Sequence, residues 1–438
     1  MSGVGLIFFP AFDWCITPDH PEREERLLYT RDQIQEEGIL DLPQFSEYRP
    51  RMATEKEINR AHIFVPSVRA HMTESHLIAA GGSIAAADLV LDGKEKRACA
   101  LVRPPGHHAM RVVHGQRGFC LVNNEAVMVE HIRQKLGPES KIAIVDTDVH
   151  HGDGTQDIYY NDPNVLHISI HQDGRTLYPG TGFVNERGGP GAYGLTVNIP
   201  LPPGTGDEGV LNVMEKLVLP ILQDFEPDFV INGAGQDNHF TDPLANMQVT
   251  AQGYARLTEL LNPDIVVLEG GYAVEGALPY VNLGILLALA GLDYSRVVEP
   301  DLARYTLGQN QAVNDSIAYL IDYVGEQWAK RNEVDLEEVF GSGDFFQRSR
   351  MIYYDTAGIS ESQRSKIRLC DTCAGWEQLE TRSDRFRELT CAVLLPWNRC
   401  AHCLSEAEEA YEEATASGRF RKVVFFDPRA DHFLEEIK

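Results

Sequence analysis

The 438-residue chain has no uninterrupted apolar run near the roughly 20 residues a membrane-spanning helix needs, so none is expected. It is also short of positive charge: 39 Lys and Arg stand against 65 Asp and Glu, for a formal net charge of −26. Such a surface repels nucleic acid and anionic membranes. Beyond conferring solubility, it favours a cationic substrate or a basic partner. The opening MSGVGLIFFPAFDWC has an apolar run but neither a basic n-region nor a small-residue cleavage site. Export is therefore not expected, and a cytoplasmic setting is. Repeats and low-complexity tracts are missing. A disulfide framework is missing too. Of eight cysteines, Cys15, Cys99, Cys120 and Cys391 are scattered, while Cys370, Cys373, Cys400 and Cys403 form two CxxC pairs. That is a metal pattern of a reducing compartment.

What is present is a core: 43% of residues are hydrophobic and 9% aromatic, in a chain long enough for one large domain and a smaller module. Short β-branched runs recur at 98–102 (ACALV), 141–145 (KIAIV), 165–170, 195–199, 228–233 and 264–270. Most are too uniformly apolar for a half-solvated strand and predict central strands covered on both faces. Helix-like segments at 75–91, 124–136, 207–225 and after Thr250 lie between them. This alternation predicts an α/β fold with parallel crossovers and three layers. Polar motifs follow the strands directly: RPPGHHA after ACALV, DTDVHHGDGT after KIAIV, AGQDNHFTDP after DFVING, and GY after DIVVLEG. Ligands of open parallel sheets bind outside the carboxyl ends of strands, so these motifs are expected on one rim.

Asp146, Asp148, His150, His151 and Asp153 crowd three carboxylates and two imidazoles into eight residues, costly near a buried strand without a cation. On an extended strand end Asp148 and His150 point the same way and can grip one ion. Asp237 supplies the third ligand from another strand end, with Asp242 and His239 as rivals. Two carboxylates and one imidazole leave a divalent metal open to water and substrate, as in catalytic zinc sites, and Fe²⁺ or Co²⁺ suit the same donors. His107 and His108, on a turn stiffened by proline and glycine, are candidates for a general base and its electrostatic partner. Asp146 and Asp153 are available to set their tautomers. Gly270 and Gly271 let the backbone bend and bring Tyr272 towards the cavity to polarise a carbonyl.

Together RPPGHHA, GFCLVNNEA, DTDVHHGDGTQ, YPGTG, the Asp237 segment, DPL and LEGGY resemble the histone deacetylase family. The likeness is to its class II branch and to bacterial deacetylase-like and acetylpolyamine amidohydrolases. HPEREERL near the start is similar to that family's N-terminal signature, and the resemblance covers roughly residues 1–325. It implies an arginase/deacetylase-like three-layer sandwich with a mostly parallel central sheet. It also implies zinc ligands Asp148, His150 and Asp237, tandem histidines His107 and His108 partnered by Asp146 and Asp153, and Tyr272 as the carbonyl-polarising group. A narrow acyl-lysine tunnel is implied at Gly118, Phe119, Tyr178, Leu244 and Gly271, and a structural K⁺ at Asp146, Asp148, His150, Ser169 and Ile170. Two positions stand out. Gln236 replaces the phenylalanine usual before the third ligand, and Leu244 is the residue usual in lysine deacetylases.

The domain reading is a deacetylase-like catalytic unit over 1–330, a polar linker over 331–360, and a small zinc-ribbon-like module over 361–438. Its CxxC pairs, separated by residues 374–399, are expected to hold a structural Zn²⁺, with free buried thiols or a redox pair as alternatives. The expected function is zinc-dependent removal of acyl groups from lysine ε-amines in proteins or peptides, or from a polyamine or other small amine. A binuclear ureohydrolase would need Asp-x-Asp where this chain has Asp237-Asn238-His239. A non-catalytic acyl-lysine binding protein has no need of His107, His108 and Tyr272 together. Self-association is left open.

Overall fold

A computed structural model describes residues 3–300 and 302–438. Among them, the strands before residue 300 are β1 (Val4–Phe9), β2 (Phe45–Tyr48), β3 (Ile63–Phe64), β4 (Arg97–Val102), β5 (Val112–Val113), β6 (Ile142–Asp146), β7 (Val165–Gln172), β8 (Thr196–Leu201), β9 (Phe229–Ala234) and β10 (Ile265–Leu268). Eight form one sheet in the order β2-β1-β4-β10-β9-β6-β7-β8, with every pairing parallel. β3 and β5 make a separate short ladder.

Period-two alternation explains the layers. In β6, Ile142 and Ile144 join one apolar cluster and Ala143 and Val145 the other. In β4, Ala98, Ala100 and Val102 divide likewise from Cys99 and Leu101. A strand apolar on both sets of positions must be covered on both faces. Helices Glu74–Leu91 and Asn124–Leu136 cover one face, and helices Ala251–Leu261 and Leu278–Leu289 the other. The expected three-layer α/β sandwich is what forms. The helix expected over 207–225 is interrupted by a π-helical turn at Met214–Val218. Pro220 lies just beyond it, and its missing N–H and ring bulk favour a widened turn there.

Strands β11 (Phe345–Tyr354), β12 (Ile359–Arg368), β13 (Glu377–Ser383), β14 (Thr390–Leu394), β15 (Lys422–Asp427) and β16 (His432–Ile437) form a second sheet in sequential order. It is antiparallel except for β14 and β15, which helix Ala401–Ala416 connects in parallel. The 331–360 stretch read as a linker therefore contains all of β11, paired along its length with β12. Its composition misled because only Ile352 and Tyr354 are buried in that strand. Instead of a small ribbon, a six-stranded sheet carries the CxxC pairs at one end.

This sheet docks on the first unit. Leu379, Ala392 and Val424 join the apolar cluster of helices Glu74–Leu91 and Asn124–Leu136. Trp397 Nε1 donates to Glu130 Oε2 (3.0 Å), Lys422 Nζ to the Phe64 carbonyl (2.8 Å) and the Tyr354 hydroxyl to the Val112 carbonyl (2.8 Å). Among the described residues no helix is long and apolar enough to cross a membrane.

Candidate metal centre and catalytic cavity

The strands that carry the polar motifs, β4, β10, β9 and β6, are consecutive neighbours in the sheet. Their carboxyl ends deliver one cluster. One ligand atom each from Asp148, His150 and Asp237 lies within 4.8 Å of the others; the two aspartates are fully buried and the His150 ring is partly exposed. His150 Nδ1 stands 3.1 Å from both Asp148 Oδ1 and Asp237 Oδ2. Burial opposes charge on His150, yet hydrogen bonds to and the charges of the two carboxylates raise it to about 10. Asp237 is raised by burial and by Asp148. Such a nest calls for a cation, and its hard oxygen and imidazole donors fit a divalent metal. Glycines leave the room: a Cβ on Gly235 would meet Asp148 Oδ2 at 2.0 Å, and one on Gly270 would meet Asp237 Oδ2 at 2.3 Å.

The rival ligands are occupied elsewhere. His239 uses both ring nitrogens, Nδ1 on Thr241 Oγ1 (2.8 Å) and Nε2 on Glu299 Oε1 (2.9 Å). Asp242 accepts the N–H groups of Leu244 (2.9 Å) and Tyr272 (2.7 Å), fixing the loop that carries the tyrosine.

The tandem histidines lie side by side, ring centroids 4.1 Å apart. His107 Nδ1 donates to Asp146 Oδ2 (2.9 Å) and His108 Nδ1 to Asp153 Oδ1 (2.7 Å), and among the described residues neither Nε2 makes a hydrogen bond, His107 Nε2 standing 3.8 Å from Asp148 Oδ1. Burial opposes charge on His107, but Asp148 and Asp146 outweigh it and hold the ring well above its ordinary value. His108 is pushed down to about 3 by burial first and by His107 second, against the pull of Asp153. Two neighbouring imidazoles are thus pushed in opposite directions, His107 up by the carboxylates beside it and His108 down by burial.

A cavity of about 210 Å³ is lined by His107, His108, His150 and Tyr272 together with the walls Gly118, Phe119, Leu177, Tyr178, Leu244 and Asp355. Tyr272 packs edge-on to Phe119 (5.6 Å) and beneath the Arg26 guanidinium (4.9 Å). Its hydroxyl has no protein partner among the described residues. Gly271, expected in the wall, is not part of the lining. Its carbonyl instead accepts from Arg26 Nε (2.6 Å), and at φ +122° a Cβ there would press on Gln236. Of the residues expected at a potassium site, Asp146 faces Ser169 across the β6–β7 ladder, with Ile170 next in the strand.

Several supporting residues were not singled out from sequence. Glu269 Oε2 accepts the N–H groups of Gly106 (2.6 Å) and His107 (3.0 Å), pinning the histidine turn. Arg26, fully buried, reaches the Glu269 carbonyl and pairs with Glu22 (2.7 Å), which also holds Arg103 (2.7 Å). Glu22 and Arg26 sit inside the HPEREERL signature, and Arg103 opens RPPGHHA. Both signals were on hand without a physical role. Arg117 grips Asp153 from the side opposite His108. Gln236 is buried and donates to Asn282, whose own amide reaches Thr30 Oγ1 (3.2 Å), while Gln236 Oε1 has no partner among the described residues. It faces the helix layer, where a phenyl ring would strand those polar groups.

The CxxC pairs meet. Cys373 Sγ lies 3.7 Å from Cys370 and 3.5 Å from Cys403, and Cys370 lies 3.9 Å from Cys400. A tetrahedron of thiolates with ordinary zinc–sulfur bonds has edges of about 3.8 Å, so the four fit one Zn²⁺ and no disulfide. Cys400 caps helix Ala401–Ala416, and β13 and β14 fill the interval between the pairs.

A family model described as the histone deacetylase domain matches residues 66–282. A protein of Archaeoglobus fulgidus described as "Probable deacetylase" is 45% identical over 312 residues, 65% of this chain and 85% of its own length. A histone deacetylase-like amidohydrolase of Pseudomonas aeruginosa is 38% identical over 224 residues, 49% of this chain and 58% of its own. A crystal structure described as the HDA15 HD domain superposes with a TM-score of 0.63 at 29% identity, covering 76% of this chain and 97% of that one.

Proposed function

The chain belongs to the histone deacetylase family, and from that premise we propose that it is a zinc-dependent amidohydrolase removing acetyl or other acyl groups from the ε-amine of lysine in proteins or peptides. The supporting observation is one cavity lined by His150 of the Asp148, His150 and Asp237 cluster, by two aspartate-oriented histidines and by Tyr272, whose hydroxyl has no protein partner among the described residues. Phe119, Tyr178 and Leu244 are walls suited to a methylene stem whose charged flanks stay in water.

Asp148, His150 and Asp237 are the residues that would hold Zn²⁺, which supplies Lewis acidity towards the amide carbonyl and towards water. Tyr272 donates its hydroxyl proton as a hydrogen bond to the carbonyl oxygen and meets the charge that develops there. His108, neutral and oriented by Asp153, takes the proton from the attacking water at Nε2. His107, oriented by Asp146, lies beside His108 and meets negative charge that develops next to it. When the C–N bond breaks, His108 returns its proton to the leaving amine, and the products are a carboxylic acid and a free amine.

In the same reading Cys370, Cys373, Cys400 and Cys403 would hold a structural Zn²⁺, and Asp146, Asp148, His150, Ser169 and Ile170 would border a structural K⁺. Eight cysteines, none in a disulfide, suit a cytoplasmic setting. The test is turnover of an Nε-acetyl-lysine peptide by the full chain. Release of acetate that stops with a chelator and returns with Zn²⁺ is expected. Turnover indifferent to chelation, or none after zinc is restored, rejects the reading.

A further inference from the structure

The turn between β11 and β12 belongs to the second sheet, outside the 66–282 stretch that the family model matches, yet it ends in the catalytic cavity. Asp355 from this turn lines the cavity beside Gly118, Phe119, Tyr178 and Leu244. Its Oδ1 accepts the Gly118 N–H (2.9 Å) and the Tyr178 hydroxyl (2.8 Å), so one carboxylate oxygen ties both walls together. Thr356 Oγ1 accepts the Phe119 N–H (3.3 Å), and Arg117 donates to the Tyr353 carbonyl. Gly118 (φ +49°) and Phe119 (φ +71°) are both left-handed, a conformation disfavoured for a residue with a Cβ. Their two N–H groups are thus fixed by the appended sheet and not by their own unit.

Holding the walls does not require a charge, since an amide oxygen accepts the same two hydrogen bonds. The charge itself is unmatched. Among the described residues Oδ2 meets only the Thr356 hydroxyl, at 3.3 Å. Arg117, the guanidinium over the Tyr178 ring, is committed to Asp153 and the Tyr353 carbonyl. His20, edge-on to Phe119, is held below its ordinary value by burial, against the upward pull of Glu22 and of Asp355 itself, and makes no ion pair with Asp355. Among the described residues Asp355 has no ion-pair partner. A carboxylate beside Leu177, Leu244, Phe119 and Tyr178, in a chain of net charge −26, attracts a cation strongly.

Resting on the amidohydrolase reading above, we infer that Asp355 is a specificity-determining residue supplied by the appended sheet. It selects acylated amines that carry a second, protonated nitrogen just beyond the tunnel. An acylated diamine offers that chemistry, and so does an acyl-lysine with a free α-amino group.

The test compares kcat/KM of the full chain on matched pairs. N-acetyl-1,4-diaminobutane is set against neutral N-acetylbutylamine, and Nε-acetyl-lysine amide with a free α-amine against the same compound with that amine capped. Wild type is expected to favour the cationic member of at least one pair by roughly tenfold or more, chiefly through KM, and the preference should shrink as salt is raised. The pair that responds identifies the source of the cation. Asp355→Asn should bring that ratio to within about twofold and make it insensitive to salt, and Asp355→Glu should restore it. Equal rates within both wild-type pairs, or a ratio unchanged in Asp355→Asn, overturn this inference alone. If wild type hydrolyses no acylated amine at all, the amidohydrolase reading fails and this inference falls with it.

Discussion

Replacing Tyr272 by phenylalanine separates chemistry from folding unusually well in this cavity. The ring makes all of the residue's packing, against Phe119 and under Arg26, and phenylalanine keeps both contacts. The backbone N–H still donates to Asp242. The hydroxyl contributes nothing to the fold that would be missed, since it has no protein partner among the described residues. Stability should therefore change by no more than about 0.5 kcal/mol, with a melting temperature within about 2 °C of wild type. The reaction should suffer far more. A single donor aimed at a developing oxyanion is worth roughly 10²–10³ in kcat, or about 3–4 kcal/mol. The loss should fall on kcat and kcat/KM together, because the bond strengthens as charge grows on the oxygen. Initial rates of acetate release, paired with thermal unfolding on the same preparation, measure both. A variant within about fivefold of wild-type kcat would refute the role given to Tyr272, and a rate loss matched by a large drop in melting temperature would refute the reasoning that separates the two.

Gly118→Ala adds a Cβ only 2.2 Å from His108 Cδ2 at a left-handed residue. The strain is worth about 1–2 kcal/mol, and the displaced histidine should cost about 100-fold in kcat; near-normal kinetics would show that His108 has slack. Glu361, buried in the second sheet, is pushed up by burial to about 7 against hydrogen bonds from Thr381 and Tyr354. Its folded value lies above its unfolded one, so its contribution is complete below about pH 4.5 and is lost as pH rises through 7. Relative to wild type, Glu361→Gln should gain about 3 kcal/mol between pH 4.5 and 7.5, read from denaturant midpoints; a flat difference would contradict it. Cys400→Ser with Cys403→Ser should remove one zinc per chain and lower the melting temperature by several degrees, and an unchanged metal content would argue for free thiols.

Much of this molecule was legible because its constraints are local and periodic. Ile142 to Val145 are apolar at every position, which only a doubly covered strand demands, and the motif after each strand had to land on one rim. Asp148, His150 and Asp237 followed from that placement. Less was legible where polar partners lie far apart in the chain. Arg26 binds carbonyls more than two hundred residues away, and Asp355 reaches Gly118 and Tyr178 from another sheet. No spacing rule carries such pairs. Strand β11 hid for a different reason: it sits at the edge of its sheet with much of its surface in water, so its composition resembles that of a linker.

In the proposed reaction, amide hydrolysis depends on a metal held by Asp148, His150 and Asp237. The most direct test measures zinc per chain and acetate release together in wild type and Asp237→Asn, with the four-cysteine site left intact. Two zinc ions per wild-type chain are expected, one in the variant, with turnover lost along with the missing ion. An Asp237→Asn chain that keeps its metal and its rate, or loses the metal and still hydrolyses the substrate, would contradict it.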